Sequence, residues 1–369
     1  MGVDTATWHA STLQLAGRSV TVFGRAGLPS GLLPTAAAEL LALESVTLAP
    51  DRLLLCDVSM ALPALLMPPH THTTVVMRHA GMRQAAERTL AHAGITAQWS
   101  TDGLVPLGEY DVALIEISPT REAWRMRLNE AARHLRPGGV LIAAGPNDAG
   151  GKIAARDVKA LFGSINERSK AHQRVVTAIK PHAHLAVSDI TPSSFVSGPR
   201  SYSTYPGVFA ADRLDVGSAE LIAALPDVRG RRVLDIGGGA GVLAGAMCDA
   251  GAAAVDVIDV DALAVKAMQH TFADDAQVRV AWGDVLDGLP WDAQYDVVVT
   301  NPPFHAGKRT DDSMVRAFVA VAARHVRPRG ELYLVANAFL AYEPLLRQFF
   351  AEVVQVRATK SFVVWCGRL

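Results

Sequence analysis

Val233-Leu234-Asp235-Ile236-Gly237-Gly238-Gly239-Ala240-Gly241 is the stretch on which the fold turns. A short apolar run carries an acid near its end, glycines follow, and then an Ala/Leu-rich segment begins. That order reads as a buried strand, a tight turn and the start of a helix. Glycines there let the backbone turn and approach a ligand without Cβ collisions. The same alternation extends outward. Residues 231–236, 254–259, 278–282, 295–300, 331–335 and 362–365 read as strands; 241–249, 262–272, 311–325 and 342–350 read as helices. Strands alternating with helices imply crossover connections, and so an α/β fold with a mostly parallel sheet covered on both faces. Apolar runs such as Val297-Val298-Val299 suit strands buried on both sides.

The first half repeats the pattern, with strands expected at 52–58, 73–77, 110–117 and 139–144 and helices at 81–93 and 121–135. Tyr110-Asp111-Val112-Ala113-Leu114-Ile115 parallels Tyr295-Asp296-Val297-Val298-Val299-Thr300, and His134-Leu135-Arg136-Pro137-Gly138-Gly139 parallels His325-Val326-Arg327-Pro328-Arg329-Gly330. The offsets, 185 and 191, are close enough for one duplicated supersecondary unit. Two domains are therefore expected, 1–190 and 191–369, with the boundary where Thr191-Pro192-Ser193-Ser194 breaks the pattern.

Composition bounds the class. Of 369 residues, 50% are hydrophobic and 19% charged, which excludes a disordered or low-complexity chain. The net charge of −1 means that any nucleic-acid contact must come from a local patch. Cys56, Cys248 and Cys366 are too few and too scattered for a disulfide framework or a CxxC metal pair. No signal peptide and no apolar run of membrane-spanning length is evident, so a cytoplasmic protein with no membrane association is expected. His70 and His72 lack an evident third ligand, and no metal is expected.

Three acids stand at successive strand ends. Asp235 precedes the first glycine by two residues, where it accepts from a ligand amine and repels a diphosphate. Asp259 follows 24 residues later, placed for the two hydroxyls of a ribose; Asp261 is the alternative. Asp284 is placed to accept from an adenine amino group. With Gly237, Gly239 and Gly241 they suit S-adenosylmethionine better than NAD. The fourth strand ends Thr300-Asn301-Pro302-Pro303-Phe304-His305. The two prolines stiffen the loop. The Asn301 side-chain carbonyl and the Pro302 backbone carbonyl both accept from an NH2 group, and Phe304 offers a face for a planar base. Such a clamp aims an amine lone pair at a methyl donor, with Asn301, Pro302 and Phe304 as its working parts. His305 either contacts base or phosphate or packs.

These features resemble class I S-adenosylmethionine-dependent methyltransferases. Pro206-Gly207-Val208-Phe209, Leu214-Asp215-Val216-Gly217-Ser218, residues 233–243, 301–305 and 331–340 resemble, more closely, the ribosomal RNA small subunit methyltransferase C family. The resemblance implies two tandem Rossmann-like methyltransferase domains, a mostly parallel seven-stranded sheet in the catalytic C-terminal copy, and a degenerate N-terminal copy that helps bind RNA. It implies methylation of a guanine N2 amine in ribosomal RNA, with Pro303, Phe304 and His305 beside the substrate. Gly238 departs from the Cys expected there, and Asp284 from a frequent Asn. Large-subunit rRNA, an adenine N6 amine or a protein glutamine are the other substrates that an Asn-Pro-Pro-aromatic loop admits; an RNA-binding assembly factor is the non-enzymatic alternative.

The first copy has Leu55-Cys56-Asp57-Val58-Ser59-Met60-Ala61 for the glycine turn and Glu116-Ile117-Ser118-Pro119 for the clamp, so one active site per chain is expected. A monomer is the separate expectation for the assembly. Between Lys152 and Lys180 seven Lys/Arg face two acids. This window is either a solvated helical face or a phosphate-contacting surface, with Arg168, Lys170 and Arg174 as its candidates for RNA.

Overall fold

The computed structural model describes residues 7–303 and 312–369, in two compact units, Met1–Thr191 and Pro192–Leu369. Phe304 and His305 lie outside the described residues. No helix among those described is long and apolar enough to cross a membrane.

Unit 1 opens with a hairpin, β1 (His9–Leu15) and β2 (Arg18–Gly24), followed by α1 (Ala36–Ser45). The sheet elements follow as β3 (Arg52–Cys56), β4 (His72–Val76), α2 (Ala80–His92), β5 (Ala97–Trp99), β6 (Tyr110–Glu116), α3 (Arg121–His134), β7 (Leu135–Pro146), α4 (Lys152–Phe162), β8 (Asn166–Lys170) and β9 (Gln173–Ile179). Unit 2 repeats this plan with a hairpin of β10 (Ser193–Ser197) and β11 (Arg200–Thr204), then α5 (Val216–Ile222), β12 (Arg232–Ile236), α6 (Val242–Asp249), β13 (Ala254–Asp259) and α7 (Ala262–Thr271). It continues with β14 (Val278–Trp282), β15 (Tyr295–Thr300), α8 (Asp312–His325), β16 (Val326–Asn337), α9 (Glu343–Leu346), β17 (Glu352–Ala358) and β18 (Phe362–Arg368).

Each unit holds a seven-stranded sheet, ordered β5-β4-β3-β6-β7-β9-β8 and β14-β13-β12-β15-β16-β18-β17. In each, the strand second from one edge, β9 or β18, runs against the other six. Val297, Val298 and Val299 are fully buried, as helices on both faces require. Removing each such side chain from water is worth about 1.5–3 kcal/mol. The strand order reverses between β12 and β15, which pair through Val233–Val297 to Ile236–Thr300. A crevice at the carboxyl ends of such a pair is where open α/β sheets bind ligands.

Some expectations need correction. The helix expected at 342–350 shrinks to Glu343–Leu346, and Glu352–Ala358, unread in the sequence, is the edge strand β17. The basic window is not one helical face: it is α4 followed by the hairpin β8–β9, whose β8 is exposed at every residue. Ser193 and Ser194 do not break the pattern but begin β10.

Candidate active site

The glycine turn sits where β12 meets α6. Gly237 N donates to Ile258 O at 2.8 Å, which ties the turn to the end of β13. Gly239, at φ +55°, donates its N–H to Asp259 Oδ2 at 2.7 Å, so the strand-end carboxylate holds the loop. Gly238 is required for space: a Cβ there would lie 2.4 Å from Val257 Cγ1 and 2.9 Å from Met268 Sδ. The Cys expected from the family pattern therefore has no room in this chain, because Val257 and Met268 already fill its volume.

The three acids differ in what they do. Asp235 is fully buried; among the described residues its carboxylate has no side-chain partner, and the Ala244 backbone N–H only weakly offsets its burial. Burial, and secondarily the charge of Asp259, pushes its pKa from an ordinary 3.8 up to about 7. Asp259 is 9% exposed and accepts from Gly239 N through Oδ2 and from Asp261 N at 2.8 Å through Oδ1. Asp261 is the N-cap of α7, accepting from Leu263 N, so its carboxylate is committed to the helix. Asp284 is buried and accepts from Leu286 N at 3.0 Å, capping a short 3-10 turn.

Asn301 follows β15 directly. Thr300 Oγ1 donates to Ile236 O at 2.8 Å and ties the two strand ends together. Asn301 Nδ2 donates to Asp215 Oδ2 and to Ser218 Oγ, both at 3.0 Å. Asp215 is also the N-cap of α5, accepting from Ser218 N at 3.0 Å. Pro302 is buried and Pro303 exposed. Asn301, Asp215, Ser218, Phe209, Gly237 and Gly238 line one small pocket, so the amide and the glycine turn share a cleft. Phe209, Asp215 and Ser218 enter this site unassigned by the sequence, which offers only their motifs as a signal.

In unit 1 the equivalent place is filled. Leu55 pairs with Val75 and Leu114 as Asp235 pairs with Val257 and Val299, so an apolar side chain stands in the acid's slot. The left-handed turn persists without glycine: Asp57, Met60 and Ala61 have φ of 55°, 55° and 49°. Asp57 is locked by an ion pair to buried Arg127 at 3.0 Å, and Met60 is fully buried. Glu116, at the end of β6, accepts from Ser59 N at 2.9 Å and from the Thr35 hydroxyl; burial raises its pKa.

The candidates for RNA divide sharply. Arg168 is paired with Glu44, while Arg174 is paired with Glu167 at 3.1 Å and donates to Asn147 Oδ1. Lys170 is exposed and has no ion pair among the described residues. Nor have Lys152, Arg156 and Lys159, which are exposed and spaced so that they share one face of α4.

A family model described as Methyltransferase small domain matches residues 201–366. The sheet order, the glycine turn and this match define unit 2 as a methyltransferase domain. Ribosomal RNA small subunit methyltransferase C of Pseudomonas aeruginosa (strain LESB58) is 31% identical over 296 residues, covering 75% of this chain and 87% of that protein. The protein of the same name from Pseudoalteromonas atlantica is 31% identical, covering 70% and 77%. A solved T. thermophilus 16S rRNA N2 methyltransferase, in complex with AdoMet and guanosine, is 28% identical and superposes with a TM-score of 0.82 over 98% of both chains. The chain belongs to the ribosomal RNA small subunit methyltransferase C family.

Proposed function

We propose that this protein transfers a methyl group from S-adenosylmethionine to the exocyclic N2 amine of a guanine in 16S ribosomal RNA. The observation that carries the reading is the oriented Asn301 amide lining the same cleft as the glycine turn. The names and bound ligands of the relatives support the substrate and the cofactor.

The residues fit the cofactor. A fully buried carboxylate with no side-chain partner costs folding free energy unless a strong donor arrives. Asp235 is such a group, and the cofactor's ammonium is such a donor. Asp259 accepts from the backbone N–H groups of Gly239 and Asp261, which fixes its carboxylate at the end of β13, the place for ribose hydroxyls. Asp284, after the next strand, would accept from the adenine amino group. When bound, S-adenosylmethionine supplies a methyl already activated by its sulfonium, so the protein's work is positioning and electrostatics.

The chain's own residues then act on the guanine. The base must leave its stack, at a cost of a few kcal/mol. Asn301 Oδ1 and the Pro302 carbonyl accept the amine hydrogens and favour a pyramidal nitrogen whose lone pair points at the methyl. For Phe304, Pro303 and His305 we keep the substrate-side roles that the family resemblance implies, Phe304 as the stacking face for the base. The methylated nitrogen gives up its proton to water, and Asp215, whose Oδ2 accepts from Ser218 N and Asn301 Nδ2, holds the amide. The degenerate unit 1, residues 1–190 in the sequence reading, serves RNA capture through Lys152, Arg156, Lys159 and Lys170, and the protein acts as a cytoplasmic monomer.

Labelled cofactor and purified ribosomal subunits test the reading. Label should enter small-subunit RNA with the wild type and be largely lost with Asn301→Ala, whose cofactor affinity stays within a few-fold. Equal labelling by that variant would remove the amine clamp from the account, and labelling of large-subunit RNA alone would move the substrate.

A further inference from the structure

An amide side chain has two chemically different ends, and a clamp for an NH2 group works only if oxygen faces the substrate. A primary amide flips end for end at little cost unless its partners tell the ends apart. Around Asn301 they do. Nδ2 carries two hydrogens, and the structure gives it two acceptors, Asp215 Oδ2 and Ser218 Oγ, each at 3.0 Å. A flipped amide would set its carbonyl oxygen against the Asp215 carboxylate, acceptor facing acceptor.

We propose that Asp215 and Ser218 are positioning residues for the reaction: they fix the Asn301 amide with Oδ1 towards the substrate amine. The inference rests on the reading of Asn301 as the amine clamp and adds the device that aims it. Asp215 suits the task because it is itself fixed, as the cap that accepts from Ser218 N. One oxygen therefore sets both the helix start and the amide.

Gly217 permits the approach. A Cβ at that position would lie 3.0 Å from Asp215 Oδ2, 3.2 Å from the Phe362 ring and 3.5 Å from Asn301 Nδ2. Unit 1 keeps the plan without the chemistry. Thr35, the cap of α1, hydrogen-bonds Glu116, which sits at the end of β6 as Asn301 follows β15. A tether from helix cap to strand end thus belongs to both copies, but only unit 2 uses it to orient an amide.

Single-turnover methylation, read with cofactor calorimetry and thermal unfolding, tests this. Ser218→Ala removes one acceptor and leaves its backbone donor to Asp215 intact. It should lower the rate of methyl transfer by ~5–10-fold, with cofactor affinity and Tm near wild type. Asp215→Ala should cost ~10–100-fold. Asp215→Asn, which still offers an oxygen to both donors, should recover most of that loss. The decisive comparison repeats Ser218→Ala in an Asn301→Ala background, where it should have no further effect, because a positioning residue acts only through what it positions. A full Ser218→Ala loss in that background, or a wild-type rate for Ser218→Ala alone, would overturn the proposal. A wild type that leaves guanine N2 unmethylated would instead overturn the functional reading on which it rests.

Discussion

Asp235→Asn should make the cofactor-free protein more stable at pH 8 while it weakens cofactor binding. The Asp235 carboxyl lies fully buried with no side-chain partner among the described residues; its pKa is raised from 3.8 to about 7, first by burial and then by Asp259, with the Ala244 N–H opposing only weakly. For an acid with a raised folded-state pKa, the folded protein holds a proton that the unfolded chain has released. Stability therefore falls as pH rises from ~4 to ~7 and is level above that. Three pH decades at ~1.4 kcal/mol each give an upper figure of ~4 kcal/mol against the ionised form. The amide escapes this cost but buries an unpaired NH2, at ~1–3 kcal/mol. The net gain at pH 8 is ~1–3 kcal/mol, or roughly 2–10 °C in the Tm of a domain of this size. Thermal unfolding of both proteins without cofactor, from pH 5 to pH 8, is the assay. The Tm difference should open in the variant's favour as pH rises, and calorimetry should show S-adenosylmethionine binding weakened ~10–150-fold. A pH-independent difference, or unchanged affinity, would refute the assignment of Asp235 as a buried carboxylate kept without a side-chain partner for the cofactor.

Asp259→Ala should weaken S-adenosylmethionine binding ~5–150-fold with the domain still folded; unchanged affinity by calorimetry would remove Asp259 from the ribose site. Because its carboxylate also holds Gly239 N, the glycine turn should exchange its amide hydrogens faster in this variant, as hydrogen-exchange measurements would register. Replacing Lys152, Arg156 and Lys159 together with Ala should weaken RNA binding and lower the slope of log affinity against log salt by ~2–3. Cofactor affinity should not change, and an unaltered slope would place the RNA surface elsewhere.

The glycine turn and the strand ends that carry Asp235, Asp259 and Asn301 were legible because each is local: a few consecutive residues set the backbone there. The apolar strands around them were legible for the same reason, being buried on both faces. The edge strands were not. β8 is polar and exposed throughout, and β17 buries only Val353, so neither shows the pattern that marks a strand. Long-range partners were also out of reach. Asn301 meets Asp215 and Ser218 across 86 and 83 residues, and the Glu44 that neutralises Arg168 lies in α1, far from the basic window. Charge density along the chain therefore pointed to Arg168 and Arg174, which the fold has already paired, rather than to the α4 face.

Product analysis tests most directly that the methyl group goes to a guanine N2 amine. Small subunits methylated by the wild-type protein with labelled S-adenosylmethionine can be digested to nucleosides and the label followed by chromatography and mass spectrometry. Label is expected in N2-methylguanosine from 16S rRNA. Label in N6-methyladenosine, in a ring-methylated base or in protein would contradict it.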